Sequence, residues 1–150
     1  MFRGRYEHAI DGKGRTSLPS RFREVLAAKG EAHLVVTTGL SPCLVAYPVQ
    51  EWERFEERLS ALSQFDERVA MLRRVYVSGA VECEVDKLGR LLIPANLRRH
   101  AGLKQELIWA GMGRNLEIWS KTRFNKLCND VLKNEEARRE IASHLAQLGL

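Results

Sequence analysis

The chain contains one stretch twice. Phe2 to Arg23 reads FRGRYEHAIDGKGRTSLPSRFR, and 75 residues later Val77 to Arg98 reads VSGAVECEVDKLGRLLIPANLR. Seven positions are identical: Gly4/Gly79, Glu7/Glu82, Asp11/Asp86, Gly14/Gly89, Arg15/Arg90, Pro19/Pro94 and Arg23/Arg98. Apolar character is kept at Ile10/Val85, Leu18/Ile93 and Phe22/Leu97. The likeness continues at an offset of 72, where Gly39 meets Gly111, Leu44–Tyr47 meets Leu116–Trp119 and Trp52 meets Phe124. A repeat of this kind is one supersecondary unit that cannot bury its apolar face alone. Each half of this 150-residue chain is also small enough to be marginal by itself, because small domains bury a low fraction of their surface. The halves are therefore expected to share a core or to oligomerise. The domain division expected from the repeat is 1–75 and 76–150.

Each copy has a legible order of elements. From Val75 to Val85 the odd positions are apolar or small and the even ones mostly polar, the period of a half-buried strand. Asp86-Lys87-Leu88-Gly89-Arg90 follows, then the apolar run Leu91-Leu92-Ile93. Asp can accept from the turn's own backbone and Gly can supply a positive φ, so this segment predicts a hairpin. Pro94 suits the first turn of a helix, predicted to run to Ala101 with Gly102 as its cap. The first copy predicts a helix from Pro19 to about Lys29, capped by Gly30. Strands are predicted near His33–Thr37, Cys43–Tyr47, Glu106–Ala110 and Leu116–Trp119. Amphipathic helix follows in both copies: Val49, Trp52, Phe55, Leu59 and Leu62 recur at three and four, as do Phe65, Val69 and Leu72. In the second copy Phe124, Leu127 and Val131, then Ile141, Leu145 and Leu148, do the same.

Charge separates the functional classes better than composition, which is that of an ordinary globular protein (45% hydrophobic, 29% charged). The net charge is +5. Residues 1–24 carry Arg3, Arg5, Lys13, Arg15, Arg21 and Arg23 against Glu7, Asp11 and Glu24, a net of +3. Residues 86–104 carry Lys87, Arg90, Arg98, Arg99 and Lys104 against Asp86, a net of +4. Residues 51–74 hold six acids and five bases. The excess falls on the two copies of the turn, which points to a polyanionic partner. Cys43, Cys83 and Cys128 are odd in number with no CxxC pair, so neither a disulfide framework nor a zinc site is indicated. A reduced, cytoplasmic setting is expected, with no signal peptide and no membrane span.

The Asp-x-x-Gly-Arg turn carries the chemistry. It holds an Arg at an exposed point on a rigid sheet, with the Asp available to brace the guanidinium. Such a fork can make a bidentate contact with guanine in the major groove or clamp a phosphate. One copy alone is a common surface turn. Two copies, each with Arg and each in a basic stretch, are harder to explain by folding needs. Arg15 and Arg90 are therefore the candidate base readers, and Lys13, Arg21, Arg23, Lys87, Arg98 and Arg99 the candidate phosphate contacts.

The order strand, Asp-x-x-Gly-Arg, apolar-Pro, short helix resembles the AbrB/SpoVT-type swapped-hairpin DNA-binding unit. Two such units in a chain of this length resemble the MraZ family. The likeness rests on MFRG, DGKGRTSLPSRFRE, PCLVAYPVQEWE, DKLGRLLIPANLRRHAGL and LEIWSKTRF in that order, and it covers nearly the whole chain. The resemblance implies a sequence-specific transcriptional repressor of its own cell-division and cell-wall gene cluster. It implies binding to short promoter repeats in double-stranded DNA, association with the nucleoid, and a ring-like homo-oligomer. The family's Asp-x-x-x-Arg residues carry over onto Asp11 and Arg15, and onto Asp86 and Arg90. The copies differ inside the motif, with Lys13 in the first and Leu88 in the second. The fold class expected is α+β: tandem AbrB-like swapped-hairpin units around a pseudo-twofold, β-barrel-like core, flanked by amphipathic helices.

Catalysis is not expected. His8, His33, His100 and His144 are scattered, and no metal-binding pair, nucleophile elbow, phosphate loop or dinucleotide fingerprint is present. No cofactor, metal or small-molecule substrate is expected. Trp52, Phe55 and Trp119 sit among apolar neighbours and read as core rather than as stacking platforms for single strands. Two other binding classes stay open: a ring-forming scaffold whose charge serves solubility, and an RNA binder on the same basic face.

Overall fold

A computed structural model describes all 150 residues, which form two compact bodies, 1–120 and 121–150. In the first body, β1 (Arg5–Ala9) and β2 (Arg15–Ser17) flank the first turn and lead into α1 (Ser20–Ala28). β3 (His33–Thr38), β4 (Leu44–Pro48), α2 (Val49–Ser60) and α3 (Glu67–Leu72) follow. A π-helical turn (Arg73–Val77) then leads to the second copy: β5 (Val81–Glu84), β6 (Arg90–Leu92), α4 (Ala95–Ala101), β7 (Glu106–Gly111) and β8 (Leu116–Ser120). The class is α+β, as expected. All strand pairs are antiparallel, in a six-stranded sheet ordered β1-β7-β8-β4-β3-β5 and a two-stranded ribbon of β2 and β6.

The two copies exchange strands. β1 of the first copy pairs with β7 of the second, from Arg5 opposite Ala110 to Ala9 opposite Glu106. β5 of the second pairs with β3 of the first, from His33 opposite Glu84 to Val36 opposite Val81. Two seams join equivalent strands. In the ribbon Arg15 faces Leu92, Thr16 faces Leu91 and Ser17 faces Arg90, so an offset of 75 maps the pairing onto itself about Thr16 and Leu91. In the β4–β8 seam Leu44 faces Ile118 and Ala46 faces Leu116, which an offset of 72 maps onto itself. A pseudo-twofold passes through both seams. The ribbon meets the ends of the sheet, bridged to β1 at Ile10–Thr16 and packed on β5 through β6.

The core follows from this exchange. Leu18 and Ile93, Phe22 and Leu97, Leu34 and Leu107, Val36 and Trp109, and Leu44 and Leu116 are equivalent positions of the two copies, and all are buried in one cluster. β3 and β7 are buried along nearly their whole length, which is why each reads as a continuous apolar run rather than an alternation. α1 buries Phe22 and Leu26 and α4 buries Leu97 and Ala101, one face of each at a spacing of four. Pro19 and Pro94 hold the extended backbone just before these helices. Gly102 closes α4 in the left-handed region at φ 61°, where a side chain would be strained. α2 packs on β3 and β4 and buries Trp52 and Leu59, with the rings of Trp52, Phe55 and Tyr47 in mutual contact and Tyr76 against Phe55.

Two sequence expectations are corrected. Val75 and Val77 do not belong to a strand. They lie in the π-helical turn, and the strand is limited to Val81–Glu84. The edge of β3 that a longer β5 would follow is taken instead by that turn: the hydroxyls of Thr37 and Thr38 donate to the carbonyls of Tyr76 (2.7 Å) and Val75 (3.0 Å). Phe65 is not on a helix face. α3 starts only after Asp66, whose carboxylate accepts from the Arg68 N–H at 2.9 Å, and Phe65 is 90% exposed just before that cap.

The second body is a helix pair, α5 (Lys121–Lys133) and α6 (Glu135–Gln147), packed on each other. Asn134 caps α6 by accepting from the Ala137 N–H at 3.0 Å. No helix of the chain is long and apolar enough to cross a membrane.

Candidate nucleic-acid interface

Both copies of Asp-x-x-Gly-Arg fold into the same turn, and the reason is local. Gly14 and Gly89 donate back to the carbonyls of Asp11 (3.0 Å) and Asp86 (2.9 Å), while Asp11 and Asp86 donate to the carbonyls of Arg15 (3.0 Å) and Arg90 (2.8 Å). The glycines have φ of 92° and 77°, a region that L side chains rarely adopt. One oxygen of each Asp accepts from the backbone inside the turn. Asp11 Oδ1 receives the N–H groups of Lys13 and Arg15, both at 2.9 Å. Asp86 Oδ1 receives those of Leu88 and Arg90, also at 2.9 Å.

The other carboxylate oxygen holds the guanidinium. Arg15 Nε donates to Asp11 Oδ2 at 2.8 Å and Arg90 Nε to Asp86 Oδ2 at 3.3 Å. Exposed ion pairs of this kind add little stability, so their effect is on direction. The Asp engages Nε and leaves the terminal nitrogens of the fork to other acceptors. The Arg15 and Arg90 side chains are 46% and 42% exposed.

The ribbon brings the two arginines together. Thr16 and Leu91 are buried, so their neighbours Arg15, Ser17, Arg90 and Leu92 share the opposite, outward face. Arg15 and Arg90 line the same shallow hollow with Asp11 and Ser17, and a second one with Asp86 and Leu92. Lys13 and Lys87 are exposed within their turns. Arg21 lies on the outside of α1, 3.4 Å from Glu24, and Arg99 is exposed near the end of α4. Arg23 and Arg98 have a different setting. Each reaches the turn of the other copy: Arg23 Nη1 donates to the Leu88 carbonyl at 3.1 Å and Arg98 Nη1 to the Gly12 carbonyl at 3.5 Å.

The outward face also holds Leu92 and Ser17, which were not among the sequence candidates, and the second turn carries an exposed Leu88 where the first has Lys13. The pairing Ser17/Leu92 at an offset of 75 was the available signal. The two halves thus present one arginine each in different company: Arg15 is opposite Leu92, and Arg90 is opposite Ser17.

The carboxyl of Asp11 is held at about 2, chiefly by the Arg15 backbone N–H and next by the Arg15 guanidinium. Asp86 is lowered for the same first cause, the Arg90 backbone N–H. A depressed folded value means that the stabilisation is fully present above the ordinary 3.8 and is lost as pH falls toward 2. NMR titration of the Asp11 carboxyl is expected to give a midpoint near 2. In Arg15→Ala the backbone donor remains, so the midpoint stays below 3.8, and an unmodified protein titrating at 3.8 would contradict this turn geometry.

Comparison with known proteins finds one family in both halves. A family model described as "MraZ protein, putative antitoxin-like" matches residues 1–75 and again 76–147. The transcriptional regulator MraZ of Heliobacterium modesticaldum is 50% identical over 150 residues, covering all of both chains. That of Lachnoclostridium phytofermentans is 45% identical over 150 residues, covering all of this chain and 99% of its own.

Proposed function

The chain belongs to the MraZ family, and from that premise we propose that it is a sequence-specific, DNA-binding transcriptional regulator. Its role is regulatory and not catalytic, as the names of its relatives indicate. The finer reading is a repressor of its own cell-division and cell-wall gene cluster that binds short promoter repeats, acting in the cytoplasm at the nucleoid as a ring-like homo-oligomer. Residues 1–75 and 76–150 are its two DNA-presenting units.

One observation carries the reading: Arg15 and Arg90, each braced by its own Asp, share the outward face of one two-stranded ribbon. A β-ribbon fits the major groove, and a guanidinium fork there matches the paired acceptors of guanine. Lys13, Lys87, Arg21 and Arg99 are exposed around it and supply phosphate contacts that set register. Exposed Leu40 and Met71, which line one apolar hollow with Leu72 and Val75, support self-association, since large apolar groups left in water mark contact surfaces when they cluster.

The test is fluorescence-anisotropy binding to the chain's own upstream promoter duplex, against a shuffled duplex and an RNA of the same sequence, across a range of salt. The promoter is expected to bind most tightly, with a steep loss as salt rises because several phosphates are neutralised. Equal, weak binding to the two duplexes would overturn sequence reading and bring the scaffold function forward. Preference for the RNA would overturn the duplex assignment. Light scattering on the same sample is expected to give a mass above that of one chain.

A further inference from the structure

We propose that Arg23 and Arg98 are positioning residues, each holding the DNA-reading turn of the opposite copy, so that neither half can aim its arginine without the other. The inference rests on the DNA-binding function proposed above. It departs from the expectation that these two side chains reach phosphates.

The geometry is reciprocal. Arg23 stands on α1 of the first copy and donates to Leu88 in the second turn at 3.1 Å. Arg98 stands on α4 of the second copy and donates to Gly12 in the first turn at 3.5 Å. Each guanidinium also fills the space beside the turn glycine. A Cβ at Gly14 would come within 2.7 Å of Arg98 Nε, and one at Gly89 would run into Arg23 Nη1 and Cδ. Both glycines are buried although Lys13 and Arg15 beside the first and Leu88 beside the second are exposed. Arg98 Nε is itself buried and no protein group accepts from it, so this part of the side chain faces the turn rather than solvent. Main-chain bonds run the same way: Leu18 donates to the Gly89 carbonyl and Ile93 to the Gly14 carbonyl, both at 2.8 Å.

The consequence concerns Arg15 and Arg90. Each is the residue directly after a braced glycine. A turn freed on one side would let the guanidinium wander, and a bidentate base contact is sensitive to that, because its strength depends on a fixed fork. A bracing Arg differs from a phosphate-binding Arg in two measurable ways. It neutralises no phosphate, so its loss leaves the salt slope of binding unchanged. A phosphate contact would lower that slope by about one on removal. Lys can replace a phosphate contact as a point charge, but it cannot reproduce the planar fork against a glycine.

The experiment is a crossed double-mutant cycle read by promoter-duplex anisotropy. Arg23→Ala is expected to weaken binding about tenfold, the scale of one lost charged hydrogen bond. Its salt slope stays that of the parent protein, and Arg23→Lys does not restore affinity. In an Arg90→Ala background Arg23→Ala should have little further effect, while in an Arg15→Ala background its effect should be full, since coupling is confined to groups that share partners. Arg98→Ala should mirror this and couple to Arg15. Amide hydrogen exchange without DNA gives an arm that does not depend on the DNA-binding function. Arg23→Ala should speed exchange at Leu88–Arg90 and leave Lys13–Arg15 and the central sheet unchanged. A lowered salt slope with rescue by Lys would overturn the proposal in favour of a phosphate contact. So would coupling of Arg23 to Arg15 instead of Arg90, or exchange that is unchanged at Leu88–Arg90. Loss of these exchange effects overturns the brace. Intact exchange effects with no promoter binding even in the parent protein overturn the role in DNA binding and the function it rests on.

Discussion

Replacing both Arg15 and Arg90 with Ala is expected to weaken promoter binding by about a hundredfold or more, with the fold unchanged. The magnitude follows from two bidentate base contacts at about 1–3 kcal/mol each. The two arginines line the same hollow, so their losses need not add, and the double variant is the decisive one. Stability should change little, because both side chains are over two-fifths exposed and their ion pairs with Asp11 and Asp86 are surface pairs. Asp11 and Asp86 keep their backbone donors in these variants, so the turns persist. Circular dichroism, the thermal midpoint and the size of the oligomer should all match the parent. The single variants carry separate information. Arg15 sits opposite an exposed Leu92 and beside Lys13, and Arg90 opposite Ser17 and beside Leu88. Unequal losses would mean that the two halves read different bases. Unchanged affinity in both single variants and in the double variant would remove these arginines from the interface.

The largest effect on stability is expected at Trp109. It is fully buried in β7, between Tyr6 on β1 and Ile118 on β8, where the strands of the two copies meet. Trp109→Ala should cost about 3–5 kcal/mol, the range for emptying a large aromatic site that cannot collapse. Against a total of about 5–15 kcal/mol for a typical domain, that is at least about a fifth of the stability. Trp109→Phe should cost clearly less. The indole Nε1–H donates to no protein group, so phenylalanine loses packing but no hydrogen bond. Urea denaturation of both variants is the measurement. Equal costs for Ala and Phe would mean that the indole is held by more than packing.

Much of this was legible in the chain itself, for reasons of range. The turn is written within five residues: Asp accepts from the backbone two and four positions on, Gly takes the positive φ, and Arg returns to the Asp. The helix starts at Pro19 and Pro94, and the end at Gly102, are equally local. The errors came where a period was borrowed by the wrong element. Val75, Val77 and Gly79 alternate like a strand, yet the threonines of β3 hold that segment as a helical turn from outside. Leu92 reads as part of the apolar run Leu91-Leu92-Ile93, yet it faces outward from the ribbon and is exposed, because only the buried Leu91 and Ile93 point into the core.

The candidate site divides in the same way. The sequence by itself determined the repeat, the two identical turns, and the Asp–Arg brace inside each, because all of these are contacts between near neighbours. Only the tertiary structure decided that β2 pairs with β6, β1 with β7 and β3 with β5. Two like copies offer like apolar faces, so the residue pattern of a strand is as compatible with its own copy as with the other. The choice is made by the shared core, in which Phe22 and Leu97, Leu34 and Leu107, and Val36 and Trp109 are buried together. That choice sets Arg15 and Arg90 on one ribbon and carries Arg23 and Arg98 to the opposite turns.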